Sequence, residues 1–404
     1  MNSTMKIVHF SISPLAGAPL RLVQALQRHT NHLVRLIDLV PNPVFGEDIV
    51  FPRQQEEAIS LAESADILHL HNYLHVRSTQ FAPIDFDALR RRGVRIVRHF
   101  HSTPDIVMQN GRLSHEEVFD GLPAIVCGQF QERYFPEARV MPLVVPENDP
   151  AYIPPAEPGQ GVFFGPTNHW DLFERRWHAK GTHETRRMIA RACNGTSNPF
   201  HFIMDKPLAD SLNAKRRAAI VIDELITGGY HTTTLEGLCL GRAVMTWLDL
   251  RTRRVFAEMA GTPSCPVINV HLSEAETVVR HLLTHDDETQ ALGRMSREWF
   301  VQHWSEAKVA GMFDDMYRGL MESPEKVQRQ PALRLEDAAA RFHAITLPDF
   351  IHETRRRHWL RTAPVPDRFL VLGRIANRRL RKAIKKIPGV QAIYAALCGE
   401  RKDP

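Results

Sequence analysis

The chain has 404 residues, 43% of them hydrophobic and 24% charged, with a formal net charge of +5. That apolar content excludes a disordered or fibrous protein. The length exceeds one ordinary core, so two domains of roughly 150 residues plus extra material are expected. No run of about 18 apolar residues occurs, so no membrane span is expected. The stretch around Ile7–Phe10 is too short and too polar for a secretory segment. Five cysteines (Cys127, Cys193, Cys239, Cys265, Cys398) are scattered without a C-x-x-C pair. This argues against a disulfide framework or zinc ribbon and for a reducing, cytoplasmic setting.

Short β-type runs alternate with helical patterns. Lys6–Phe10 reads as a buried strand, followed by the loop Ser11–Pro19 and a helix with Leu22, Val23 and Leu26 on one face. Leu33–Ile37 is the next strand, then the helix Glu56–Ser64 and the strand Asp66–His71. A helix over Asp87–Arg92 stops at Gly93, and strands follow at Val94–Phe100, Ala124–Cys127 and Val140–Val144. Pro142–Pro158 holds six prolines and reads as a linker.

A second series begins at Gly161–Phe164. It continues with the helix Thr182–Cys193 and the strands Phe200–Met204 and Ala219–Ile222. A glycine-rich loop, a helix around Glu236, the strands Ala243–Leu248 and Val267–Val270, and the helix Glu274–Leu283 come next. Ser305–Leu320 carries Val309, Phe313, Met316, Tyr317 and Leu320 on one stripe. Strands separated by helices imply parallel βαβ units in an α/β fold. Two such domains joined by a proline hinge imply a cleft, with ligands beyond the C-terminal strand ends.

Three segments carry chemistry. In Asp223–Val244 a strand runs into the paired glycines Gly228 and Gly229, then Tyr230, Thr233, Thr234 and Leu235, with Glu236 near a helix start. Helix-start amides and a positive dipole end suit a diphosphate. A carboxylate one turn inside can accept both hydroxyls of a ribose; the bland alternative is that Glu236 complements the helix dipole. Gly165-Pro166-Thr167-Asn168 precedes Lys180-Gly181-Thr182, where a fixed cation would stabilise charge building on a departing diphosphate. Arg175 or Arg176 could add a second cation, within the insertion Trp170–Trp177. The pairs His69/His71 and His99/His101 each place two imidazoles on one strand face. A zinc or iron site and plain core histidines remain alternatives to a cleft role.

These segments resemble the GT-B glycosyltransferases, specifically family 4, and within it the enzymes of bacterial surface polysaccharides. The resemblance spans roughly residues 5 to 320. It rests on Leu235-Glu236-Gly237-Leu238-Cys239-Leu240-Gly241-Arg242-Ala243-Val244, Lys180-Gly181, Ile96–Asp105 and the closing Leu292–Phe300 with Trp304-Ser305. It implies two Rossmann-like domains with an interdomain cleft; the basic helical C-terminal tail is read from the residues beyond it. It also implies a nucleotide-sugar donor as co-substrate, with no other cofactor and no metal. By the same resemblance Glu236 contacts the ribose, Lys180 neutralises the diphosphate and His101 approaches the transferred sugar. Gly17 lets the backbone near the phosphates, and His71 and His99 line the acceptor side. The family's second glutamate, eight residues before Glu236, is replaced here by Gly228.

The expected domains are 1–145 (acceptor side), a 146–160 linker, 161–304 (nucleotide-sugar side), a 305–322 helix crossing back, and a 323–404 basic tail. From Ile351 to Pro404, fourteen Lys or Arg face four Asp or Glu, a net +10 that leaves the body at −5. Arg368–Lys386 interleaves eight basic residues with an apolar set, which suits the surface of an anionic bilayer. A nucleic-acid arm and a docked solvated helix are the rival readings. The expectation is a retaining hexosyltransferase on a cell-surface or lipid-linked glycan, cytoplasmic or peripheral on the inner membrane face, with no nucleic-acid partner. An inactive GT-B scaffold or glycan-binding subunit, or a GT-B nucleotide-sugar epimerase, is the alternative.

Overall fold

The computed structural model describes residues 3–128, 134–135, 137–166 and 180–327, with scattered positions between 339 and 376. The first half runs β1 (Lys6–Ser11), α1 (Ala18–His29), β2 (Leu33–Asp38), β3 (Ile49–Val50), α2 (Gln55–Glu63) and β4 (Ile67–His71). It continues through α3 (Phe86–Arg91), β5 (Arg95–Phe100), α4 (Pro104–Gly111), α5 (His115–Val118), β6 (Ala124–Cys127) and β7 (Arg139–Met141). These seven strands form one parallel sheet in the order β3-β2-β1-β4-β5-β6-β7.

The second half runs β8 (Val162–Phe164), α6 (Thr182–Cys193), β9 (Phe200–Phe202), α7 (Leu208–Arg217), β10 (Ile220–Ile222) and α8 (Thr232–Cys239). It closes with β11 (Ala243–Thr246), α9 (Leu250–Ala260), β12 (Ile268–Asn269), α10 (Leu272–Thr284), α11 (Asp286–His303) and α12 (Glu306–Glu322). Its five strands form a second parallel sheet, β12-β11-β10-β8-β9.

Strand runs such as Ile67–His71 and Ala243–Thr246 are buried along their whole length because helices cover both faces of each sheet. In the first sheet Val8, Phe10, Leu68 and Leu70 pack with Ala58, Phe86 and Leu89 on one side. Ile7, Ile67 and Val97 pack on the other side in a core that extends through Val144, Tyr152, Tyr230 and Phe256 to Trp304. That core is shared by both halves. Trp304 Nε1 donates to the Leu143 carbonyl at 3.0 Å, and the Glu147 carboxylate accepts from the Glu306 amide at 2.9 Å. α12 then returns to the first sheet. It buries Val309, Phe313, Met316, Tyr317 and Leu320, and it is tied to α1 by a two-pronged Arg28–Glu306 pair and to the turn after α1 by His32–Asp314.

Among the described residues no helix is long and apolar enough to cross a membrane. Thr167, Asn168, Arg175, Arg176, the Trp170–Trp177 insertion and nearly all of the basic stretch Arg368–Lys386 lie outside the described residues.

Candidate functional site

The C-terminal strand ends of the two sheets open on a shared cavity of about 310 Å³. Its upstream wall comes from the turn after β1, from α1 and from the end of β5: Ala16, Ala18, Arg21, His101 and Ser102. Its downstream wall is Lys180, just before α6, with His231, Thr232 and Thr233 at the start of α8. The turn after β1 is backbone-driven. Leu15, Ala16 and Gly17 all have positive φ, and a Cβ on Gly17 would meet the Phe45 ring at 2.5 Å. Only glycine fits there, so Gly17 shapes the wall while its neighbours Ala16 and Ala18 face the space.

Two buried ion pairs organise the downstream side. Lys180 Nζ lies 2.5 Å from Asp223 Oδ1 at the end of β10. Asp223 Oδ2 accepts from the His231 amide at 2.6 Å and the Thr234 hydroxyl at 2.7 Å. Burial alone would raise the Asp223 pKa, but Lys180 and His231 outweigh it and hold the carboxyl well below its usual range. Glu236, one turn into α8, pairs with Lys215 Nζ of α7 at 2.5 Å and accepts from Tyr152 OH at 3.3 Å. Arg21 donates to the same tyrosine hydroxyl and lies 3.6 Å from Glu236. Burial pushes the Glu236 carboxyl up, and Lys215 with Arg21 bring it below its ordinary value.

Glu236 does not line the cavity in this structure. Its two oxygens are taken by Lys215 and Tyr152, and it is 3% exposed, so it stands behind Arg21 rather than on the cavity wall. Lys215 and Arg21 went unnoticed in the sequence. Lys215 begins the basic run Lys215-Arg216-Arg217 at a helix end, where cations commonly complement the dipole. The available signal was its i,i+3 spacing from the buried Leu212.

The glycine loop is filled by a side chain of its own. The Glu224 carboxylate collects the amides of Thr227 (2.7 Å), Gly228 (3.1 Å) and Gly229 (2.9 Å), and the Thr227 hydroxyl at 2.7 Å. Amides expected to receive a diphosphate at Gly228 and Gly229 are therefore occupied by the chain's own carboxylate. Gly228 has φ +87°, and a Cβ there would meet the Asp249 side chain at 2.9–3.1 Å, so a larger residue here would be strained. Tyr230 packs against Phe256 and Trp304. Pro166, Thr182, Thr234 and Leu235 are buried and do not line the cavity. Of the residues expected to bind the donor, Thr233 is on the wall with Lys180.

On the upstream side His101 is on the wall, whereas His71 and His99 are 1% and 2% exposed and lie behind it. Strand alternation turns them, expected on the acceptor side, into the face of the sheet that α12 covers. There they join His9, His69 and Tyr317 of α12. His71 Nδ1 meets His101 Nε2 at 3.1 Å, and His9 Nδ1 meets His71 Nε2 at 3.1 Å. Tyr317 OH meets His9 Nε2 at 3.2 Å and His69 Nδ1 at 2.6 Å, and His69 Nε2 meets His99 Nδ1 at 3.1 Å. Burial lowers the pKa of His9 and of His101 to about 3 and holds His69, His71 and His99 well below their usual value. All five rings are thus neutral at physiological pH.

Two triads, His9/His69/His71 and His71/His99/His101, bring ring nitrogens within 4.8 Å of one another. In the first, His69 stacks on His9 and on His71 with interplanar angles of 17° and 20°. Lone pairs lie in the ring planes, so nearly parallel stacked rings do not aim at one common point. In the second, His71 and His101 nitrogens face each other as a hydrogen bond. These contacts link the rings into one continuous hydrogen-bonded chain.

Two parallel Rossmann-like sheets, a cavity between their strand ends and a C-terminal helix returning to the first sheet define the GT-B fold. An α-glucosyltransferase in complex with UDP and a 13-mer DNA superposes with a TM-score of 0.51 at 12% identity, covering 79% of this chain and all of that one. An α-glucosyltransferase in complex with UDP-glucose and DNA containing an abasic site gives 0.50 at 12% identity, with the same coverage. Sucrose-phosphate synthase from Thermosynechococcus elongatus gives 0.48 at 10% identity, covering 78% of this chain and 99% of that one. No protein-family model and no curated protein matches the sequence significantly.

Proposed function

We propose that the chain is a glycosyltransferase of family 4 type. It would move a sugar, with retention of configuration, from a nucleotide sugar to a cell-surface or lipid-linked glycan. One observation carries this reading: the interdomain cavity where Lys180 and the start of α8 face His101, with the cation Arg21 beside them on the upstream wall. Departure of a nucleoside diphosphate places negative charge on that side. A buried cation and helix-start amides stabilise charge where it develops, more in the transition state than in the ground state. Lys180 would trade part of its bond to Asp223 for a phosphate oxygen. Glu236 would hold Arg21 and Lys215 in place rather than grip the ribose. His101 would meet the sugar. The reaction in this reading needs no metal and no cofactor beyond the donor. The cationic stretch Arg368–Lys386 would keep a cytoplasmic enzyme at an anionic inner membrane face, near a lipid-linked acceptor.

The test is a thermal-shift panel of nucleoside diphosphates and their sugars. Selective stabilisation by one of them is expected through mass action, and Lys180→Ala should weaken it about ten- to a hundred-fold. A panel with no stabilising member removes the reading. Donor hydrolysis without acceptor separates an enzyme from an inactive scaffold, a reading kept open because Lys180 and Glu236 are both tied up in ion pairs. Since similar folds have been seen with DNA, DNA belongs in the acceptor assay. Label entering DNA and no glycan lipid would replace the proposed acceptor.

A further inference from the structure

The buried imidazoles form one unbranched chain: His101, His71, His9, Tyr317, His69, His99. Each neutral imidazole has one N–H and one bare nitrogen, and the tyrosine has one O–H. With the tyrosine proton used within the chain, the five links among six such groups can all be made in only two ways, with every proton pointing along the chain in one sense or the other; a tyrosine oxygen that accepted from both neighbours would orphan its own buried O–H. The two senses differ at the ends. If the protons point away from the cavity, His99 Nε2 carries an N–H. If they point towards it, His99 Nε2 is a bare lone pair. That atom is fully buried and has no hydrogen-bond partner among the described residues. An orphaned buried N–H is the rarer and costlier of the two ends.

We propose that this chain is a tautomer lock: it holds neutral His101 with its proton on Nδ1, presented to the cavity as a hydrogen-bond donor. His71, His9, Tyr317, His69 and His99 are positioning residues that act through His101. The ligand group it selects is an uncharged or anionic oxygen acceptor, such as a sugar hydroxyl or a phosphate oxygen. An unlocked imidazole would instead offer its lone pair to a hydroxyl proton in part of the population. Since His101 Nε2 is committed to His71 and its backbone amide to Asn72 Oδ1 at 3.0 Å, Nδ1 is the ring nitrogen left for the cavity. The identity of the donor's partner rests on the glycosyltransferase reading, but the lock itself does not.

The experiment is long-range proton–nitrogen correlation spectroscopy on the full chain labelled with ¹⁵N-histidine at neutral pH. His101 is assigned by the signal lost in His101→Gln. The expected result is a neutral His101 with the Nδ1–H form in excess by about tenfold or more, the bias that one unmet buried N–H produces. In His71→Glu, checked for folding by circular dichroism, the carboxylate can only accept, so His101 Nε2 should gain a proton; in His71→Gln, whose amide can pass the proton sense on, the Nδ1–H excess should persist. A His101 protonated on Nε2 or a near-equal mixture in the wild-type chain, or an Nε2 still bare in folded His71→Glu, would overturn the lock. So would stoichiometric zinc or iron bound through His71, His99 and His101. If His71→Glu does not fold, the wild-type tautomer alone decides. If the tautomer is as stated but no nucleoside diphosphate binds, the lock stands and the glycosyltransferase reading falls.

Discussion

The two walls of the cavity solve the problem of burying polar groups in opposite ways. Upstream, five imidazoles and a tyrosine satisfy one another as neutral groups, with no charge to desolvate. Downstream, Lys180 with Asp223 and Lys215 with Glu236 are buried as ions, each stable only while its partner remains. A neutral chain fixes the direction of protons, whereas an ion pair fixes where charge sits. The first suits orientation of a ligand hydroxyl; the second suits a reaction in which a leaving group gains charge. The walls should therefore break differently: the downstream one by removing a single charge, the upstream one by adding protons.

The largest expected effect is downstream. Lys215→Ala leaves the Glu236 carboxylate buried with only Tyr152 and a more distant Arg21. Breaking a buried pair from one side costs about 3–5 kcal/mol, which urea denaturation would read as a lower midpoint. A loss below about 1 kcal/mol would mean that water or Arg21 already satisfies Glu236, and the contrast between the walls would lose its charged half.

Acid attacks the upstream wall. His9 and His101 have folded pKa values lowered to about 3 from 6.5. Below pH 6.5 the unfolded chain takes up protons that the native chain refuses, so this part of the stability is present above 6.5 and is lost as pH falls towards 3. At pH 5 each of the two costs about 2 kcal/mol relative to neutrality. His69, His71 and His99 act in the same direction. Denaturation curves at pH 7.5 and pH 5 test this. Equal stabilities would show that the imidazoles are already charged or solvated in the native state.

The sequence disclosed the frame of this comparison better than its content. Buried parallel strands read as apolar runs, so β1, β4, β6 and β10 were legible, and the helix over Thr182–Cys193 was placed to the residue. β3 escaped because two residues, Ile49–Val50, make no pattern. α7 escaped because Leu208–Arg217 is mostly polar outside Leu212 and Ala214. That His101 and Lys180 line the cavity was legible because strand ends and helix starts are where such folds open their clefts. What the sequence hid was pairing. Nothing local says that Asp223 reaches back 43 residues to Lys180, or that Tyr317 reaches across 308 residues to His9. His9 was the one available clue, a histidine midway along a strand whose neighbour in the sheet holds another at the same register.

A smaller effect sharpens the neutral wall. Tyr317→Phe keeps the ring but removes the hydroxyl that bridges His69 and His9. Two buried ring nitrogens lose their partner, and the expected loss is about 2–3 kcal/mol. A loss well under 1 kcal/mol, read by the same denaturation at pH 7.5, would mean that the two halves of the chain are independent.

The smallest effect tests whether the glycine loop is as fixed as its hydrogen bonds imply. Gly228 holds φ +87° with its amide on Glu224. In Gly228→Ala the new methyl meets the Asp249 side chain, and that side chain is not free to step aside. Its Oδ1 caps α9 by accepting from the Thr252 amide at 2.8 Å. The substitution must therefore strain the backbone or loosen the cap, and either course costs about 1–2 kcal/mol. Because Glu224 would keep most of its amide donors, this loss should leave nucleoside-diphosphate binding at Lys180 unchanged. A Gly228→Ala chain of full stability that binds the diphosphate less well would instead place the glycine loop on the donor, and the wall facing the phosphates would have to be redrawn around it.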